Sequence, residues 1–229
     1  MREAGRVSYL MRVVLPDRPG ALGAVATALG DIGADIMSVD VIERDDDHAV
    51  DDLVVELPPG RLADSLVSAA GAVGGVEVES IHPYAGAIDP HRELEVLDRL
   101  AGGTEDPLQL IADGVTRIFR AGWSIVLAGP TAWMAPVIAR SAAAPEIAAL
   151  PVPWWPPCPA RPLDATESWA PRDWAGVGTE LAVAPLGDGG LLVGRPALRW
   201  LATELMRLRH LAGVAASVTR AASAENLAS

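Results

Sequence analysis

The sequence predicts an α+β chain in two parts, a small βαββαβ unit followed by a larger α/β unit. Three observations carry that reading. Apolar residues recur with a period that switches between two and about 3.6 up to residue 84. Gly and Pro cluster at the switch points. Beyond residue 92 a second set of elements begins that repeats nothing of the first, and 229 residues suit one large domain or two small ones. The expected division is 1–84, a linker at 85–92, and 93–229.

Val7, Tyr9, Met11, Val13 and Leu15 alternate with Ser8, Leu10, Arg12 and Val14, which predicts a strand ending at Pro16. Leu22, Val25, Ala26 and Leu29 then share one helical face. Asp17 is placed as the cap, Pro19 falls in the first turn, and the helix stops near Gly33. Ile36–Ile42 and Val50–Leu57 read as a hairpin around the polar stretch 43–48, closed by Pro58-Pro59-Gly60. Leu62, Leu66, Ala70 and Val73 make a second helical stripe, and Val76–Ile81 a fourth strand. This order suits a four-stranded antiparallel sheet with two helices on one face.

The run Leu15-Pro16-Asp17-Arg18-Pro19-Gly20-Ala21-Leu22, followed by Gly33-Ala34-Asp35-Ile36 at the second strand, resembles the ACT domain. ACT domains are ferredoxin-like modules that sense amino acids. The resemblance covers Val7–Tyr84 and departs from the family at Asp35, where Asn is common. It implies a homodimer that binds an amino acid against Asp17, Arg18, Pro19, Gly20, Ala21 and Leu22, with Asp35 and Ile36 opposite.

After the linker, Leu108, Ile111, Ala112, Val115 and Phe119 form a helical stripe opened by Asp106-Pro107, and Trp123–Ala128 an apolar strand. Ala132–Leu150 reads as helix in pieces. Pro151–Asp173, rich in Trp and Pro, resists regular structure. Strands return at Glu180–Leu186 and Leu191–Val193 around Gly187-Asp188-Gly189-Gly190, and a long helix runs from Pro196 to about Arg220. The helix-strand opening and the strand, turn, strand, helix ending resemble a GAF domain over Glu93–Thr219. That implies a signalling module able to pass a ligand-dependent change to a downstream protein.

Composition narrows the function. Acidic residues outnumber basic ones 30 to 18, for a net charge of −12, and every basic residue apart from histidine is Arg. The chain therefore lacks Schiff-base or Walker-type lysine chemistry, and no basic face for nucleic acid is expected. One cysteine, Cys158, forms no internal disulfide. Arg6 and Arg12 interrupt any signal-peptide core, and no apolar run is long enough to span a bilayer, so a cytoplasmic protein without membrane contact is expected.

Two readings of the Asp17–Leu22 loop stand side by side. A helix start offers unpaired N–H groups and partial positive charge to a ligand carboxylate, and Gly20 permits close approach. Alternatively, Asp17 merely caps the helix. The acidic run Asp45-Asp46-Asp47, with Asp51 and Asp52 nearby, lacks calcium-loop spacing and reads as a solvated hairpin tip. His48, His82, His91 and His210 have no metal spacing, and no nucleophile or phosphate motif occurs. No metal, cofactor or catalytic residue is expected. Trp154, Trp155, Trp169 and Trp174 close over a pocket or plug a gap. Leu198, Leu201, Leu205, Leu208, Ala212 and Ala215 carry coiled-coil spacing, which serves either a second subunit or the domain's own sheet. The leading expectation is a regulator that is not an enzyme, with a dimerisation scaffold as the alternative.

Overall fold

A computed structural model describes residues 7–45, 47–84 and 92–228, side chains included except at 92 and 222–228. The chain divides into two compact units, Met1–Ile88 and Asp89–Ser229. Of the expected linker, residues 85–91 lie outside the described residues, and Arg92 already opens a helix that periodicity did not single out.

In the first unit the order is β1 (Val7–Pro16), α1 (Ala21–Asp31), β2 (Asp35–Arg44), β3 (His48–Leu57), α2 (Asp64–Gly71) and β4 (Glu77–Pro83). The strands lie in the order β2-β3-β1-β4 with every neighbouring pair antiparallel. Directly opposed residues of an antiparallel pair point to the same face. Met11 opposes Leu53 and Leu15 opposes Ala49, and together with Val13 they meet Val25 and Leu29 of α1 and Leu66 and Ala70 of α2 in one core. Register therefore sends Asp51, opposite Val13, to the helix side, and Arg12 with Asp52 to the other side. Both Asp51 and Asp52 are buried in β3, so the solvated tip does not extend to them. The tip is a turn in which the Asp45 carboxylate accepts the N–H groups of Asp47 and His48. Leu62 lies ahead of α2 and is exposed, because the helix starts two residues later.

The second unit contains α3 (Arg92–Gly102), α4 (Pro107–Ile118), β5 (Trp123–Leu127), β6 (Met134–Arg140), β7 (Ala149–Pro151), β8 (Arg161–Leu163), α5 (Arg172–Gly176), β9 (Thr179–Leu186), β10 (Gly189–Pro196) and α6 (Ala202–Ala228). Its six strands run β7-β6-β5-β10-β9-β8, all neighbours antiparallel. Asp106 caps α4 as its sequence predicts, accepting the Leu108 N–H at 2.9 Å. One core joins Val96, Ile111, Val115, Leu191, Leu208 and Ala212; a second gathers Leu127, Leu181, Leu192, Trp169 and Trp174.

Two expectations fail here for identifiable reasons, and one open choice is decided. Ala132–Leu150 is not helical: Met134–Arg140 pairs with β5, and Ala149–Pro151 pairs with β6. Pro136 removes a helical donor, and strand pairing overrides the helix preference of the alanines. The last helix starts at Ala202 rather than Pro196, because the Arg195 guanidinium binds the carbonyls of Leu198 and Arg199 and holds 196–201 in a non-helical path. Of the two readings of the coiled-coil spacing, packing within the unit holds: Leu208, Ala212 and Ala215 lie in its own core, and Leu198 and Leu201 lie ahead of α6.

The fit of α3 on α4 supplies a stability test. A Cβ at Gly114 of α4 meets Val96 Cγ2 at 2.7 Å. Gly114→Ala is therefore expected to cost about 1–3 kcal/mol through overpacking, despite alanine's better helix propensity, as read by urea denaturation.

Candidate functional site

The loop entering α1 forms as a turn in which the Ala21 N–H donates to the Arg18 carbonyl at 3.2 Å. Gly20 is the N-cap, at φ 89°, in the left-handed region that glycine enters without a Cβ clash. This turn moves the helix start downstream of Asp17, so Asp17 does not cap it and Pro19 lies before the first turn. No side chain caps α1. The Asp17 carboxylate instead accepts from Arg44 Nε at 2.5 Å across the end of β2.

The amides of this loop are divided. Asp17 donates to the Asp47 carbonyl at 2.9 Å, Arg18 to the Pro16 carbonyl at 2.8 Å, and Pro19 has no N–H. Among the described residues the N–H groups of Gly20 and Leu22, and of the following Gly23, have no partner. Arg18, Pro19 and Gly20 are exposed, Ala21 is buried in the core, and Leu22 packs against it. A short row of donors at the positive end of a helix can accept an anion the size of a carboxylate.

Asp35 and Ile36 do not join this loop within one protomer. Asp35 and Ser8 both lie opposite Glu56, whereas Arg44 and Leu15 both lie opposite Ala49. Strands β1 and β2 thus point the same way, and Asp35 starts β2 about 30 Å from the end where the loop sits.

Asp51 is the residue of this region that sequence reasoning missed. It is only 2% exposed, opposes Val13 on one side and Val41 on the other, and its Oδ1 has no hydrogen-bond partner. Burial pushes its pKa above the ordinary Asp value, neighbouring Asp52 adds to the shift, and Arg44 counters it. The signal was present in the strand: Ala49, Leu53, Val55 and Leu57 share one buried face, and position 51 belongs to it.

A pH test follows from that direction. A carboxyl with a raised folded-state pKa binds its proton more tightly in the native chain. Its favourable contribution is present below the unfolded value and is lost as pH rises through the folded one. Asp51→Asn is expected to be more stable than the parent at neutral pH, with the difference closing below about pH 4. Denaturation midpoints across pH check this, and a constant difference defeats it.

In the second unit the tryptophans pack on one another, Trp123 on Trp174 at 4.7 Å and Trp154 on Trp169 at 5.6 Å between ring centroids. A shallow groove of about 500 Å³ borders them, lined by Trp154, Arg161, Leu163, Asp164 and Glu167 among others. Arg161 donates to the carbonyls of Trp154, Pro156 and Pro159 and so fixes the loop. Cys158, His48 and His210 are exposed, the His82 Nε2 is buried without a partner, and His91 lies outside the described residues. Among the described residues no group of three or more His, Cys, Asp or Glu is arranged to hold a metal ion, and no helix is long and apolar enough to cross a membrane.

No family model and no curated protein matches the sequence. Among solved structures, the chain is similar to the GAF domain of an Acinetobacter phosphoenolpyruvate-protein phosphotransferase. That match has 13% identity, covers 60% of this chain and 97% of that one, and has a TM-score of 0.46. The chromophore-binding domain of a bacteriophytochrome from R. palustris matches at 12% identity over 96% of each chain, with a TM-score of 0.47. An uncharacterised protein from Thermotoga maritima matches at 23% identity over 34% of this chain and 98% of its own, with a TM-score of 0.27. At these identities and TM-scores the likenesses say nothing about what this chain binds.

Proposed function

We propose that the protein is a non-catalytic regulator. Its ACT-like first unit binds a small amino acid at the start of α1, and its GAF-like second unit relays the bound state to a downstream protein. The observation that carries this is the row of open amides at Gly20, Leu22 and Gly23, which suits the ligand's carboxylate. No cofactor or metal takes part.

The α-ammonium requires a counter-charge, and Asp35 supplies it from a second copy of the chain. Strand β2 is a sheet edge whose Met37, Val39 and Val41 are exposed. Pairing two β2 edges antiparallel about a twofold axis brings the partner subunit's Asp35 to the Arg44 end, beside the loop. Ligand held between copies then favours the dimer in proportion to its differential affinity.

A thermal-shift screen with the twenty amino acids tests the reading. A ligand at 100 times its Kd adds about 2.7 kcal/mol of stability, and a screen without any shift overturns it. A mixing experiment tests the geometry. Gly20→Trp fills the loop and Asp35→Asn removes the counter-charge, so each homodimer is expected to lose binding. In an equal mixture, heterodimers hold one intact loop facing one intact Asp35, and about a quarter of the sites return. Gly20→Ala controls for strain at positive φ.

The scaffold alternative draws on the internal pairing of the Asp17, Arg18 and Ala21 amides together with the exposed β2 edge. Under it, Gly20→Trp leaves dimer mass and partner binding unchanged, and no amino acid binds.

A further inference from the structure

The sheet behind the α1 loop holds one more negative charge than an α-amino acid explains. Asp17 is occupied by Arg44, and Asp52 is turned to the opposite face, where Arg12 holds it in a two-point contact. Asp51 is left on the helix side with a buried oxygen that nothing bonds. A carboxylate in that condition is costly unless a cation joins it. Neither Asp17 nor Asp52 spares a counter-ion, and Arg44 is engaged at the loop.

We infer that the amino acid taken at this loop has a positively charged side chain, and that Asp51 is the counter-charge that selects it. The inference rests on the reading that an amino acid binds at Gly20–Gly23. Asp51 opposes Val13, three residues back from Pro16 at the strand end, a distance of about 10 Å along the sheet. An α-ammonium lies one carbon from its own carboxylate and does not span that gap. The three or four carbons of a lysine, ornithine or arginine side chain do. The proposed approach is on the same register, where Val41 lies directly opposite Asp51 on the edge strand and is 60% exposed. The ammonium or guanidinium then supplies the donor that Oδ1 lacks. Asp35 of a second copy remains the partner of the α-ammonium, and Asp51 reads what distinguishes one amino acid from another.

The experiment is isothermal titration of the full chain with L-arginine and L-lysine against their uncharged counterparts, L-citrulline and L-norleucine. In the parent protein the charged pair is expected to bind at least about ten-fold more tightly. In Asp51→Asn, and in Asp51→Ser as a second variant, that advantage is expected to fall to within about two-fold while binding of the neutral pair is kept. Both variants remove an unpaired buried charge, so melting curves at or above the parent's certify their folding. Equal affinity for charged and neutral ligands, or a preference that survives in both variants, overturns the inference and leaves amino-acid binding in place. Failure of all four ligands and of the remaining amino acids overturns both.

Discussion

Arg195→Met is expected to cost the second unit about 3–5 kcal/mol, the loss typical of breaking one side of a buried ion pair. Arg195 at the end of β10 is 1% exposed and Glu204 in the first turn of α6 is 3% exposed. Two parallel bonds join them, Nη1 to Oε1 at 2.8 Å and Nη2 to Oε2 at 2.6 Å. The same guanidinium also binds the carbonyls of Phe119, Leu198 and Arg199 and stacks 3.9 Å from the Trp200 ring. Glu204 further accepts the Leu201 N–H at 3.1 Å. Methionine fills the space and serves none of these acceptors, so the buried carboxylate loses its two guanidinium donors and three carbonyls lose the one that Arg195 gave them. Urea denaturation followed by tryptophan emission isolates the effect, since all seven Trp lie at residue 123 or beyond. In the double variant with Glu204→Leu, part of the loss is expected to return, because no charge is stranded. A loss below about 1 kcal/mol in the single variant shows that water reaches the pair.

That hub also marks where sequence reading stops. The six elements of the first unit were legible because each alternates or spirals cleanly and is punctuated by Pro16, Gly33, Gly60 or Gly74-Gly75. The start of α6 was not. Residues 196–201 carry helical spacing, but Pro196 ends β10, the Ala197 N–H donates to the Gly178 carbonyl, and the Arg195 guanidinium holds the carbonyls of Leu198 and Arg199. Strand β6 was hidden for a related reason: Ala135 and Ala139 are small because they are buried, and that composition alone reads as helix. Helix α3 carries charged residues along most of its length and shows a sparse apolar stripe, of which Val96 and Leu100 reach the core.

The loop was legible as a helix start with a glycine in it, since Gly20 punctuates a strand-to-helix passage. Which of its amides are open was not, because the bond that occupies Asp17 depends on where the chain of the hairpin tip comes to lie, and the one that occupies Arg18 on the form of the turn. Asp35 and the loop read as neighbours from family resemblance, and register separates them by the length of a strand. Asp51 was grouped with the hairpin acids by proximity in sequence. Pairing with Val13 and Val41 is a tertiary fact, and it converts a solvated Asp into a buried one.

Asp52→Ala is expected to destabilise the first unit by about 3–5 kcal/mol, while the paired replacement Arg12→Met with Asp52→Leu returns part of that loss. Arg12 and Asp52 are both 0% exposed, on central strands, joined by Nε to Oδ1 at 2.7 Å and Nη2 to Oδ2 at 2.9 Å. Removing the carboxylate takes two charge-assisted bonds from a guanidinium that stays charged at any workable pH, whereas the apolar pair carries no buried charge of its own. Far-UV circular dichroism with tyrosine emission reads this unit, since Tyr9 and Tyr84 are the only tyrosines and no Trp lies before residue 123. The two carboxylates, adjacent in sequence on opposite faces of β3, then separate by sign. Losing Asp52 weakens the fold because its cation is already inside the protein. Losing Asp51 strengthens it at neutral pH because its cation is not. If both variants destabilise to a similar extent, Asp51 is a structural acid like its neighbour, and its unpaired oxygen is no mark of a ligand.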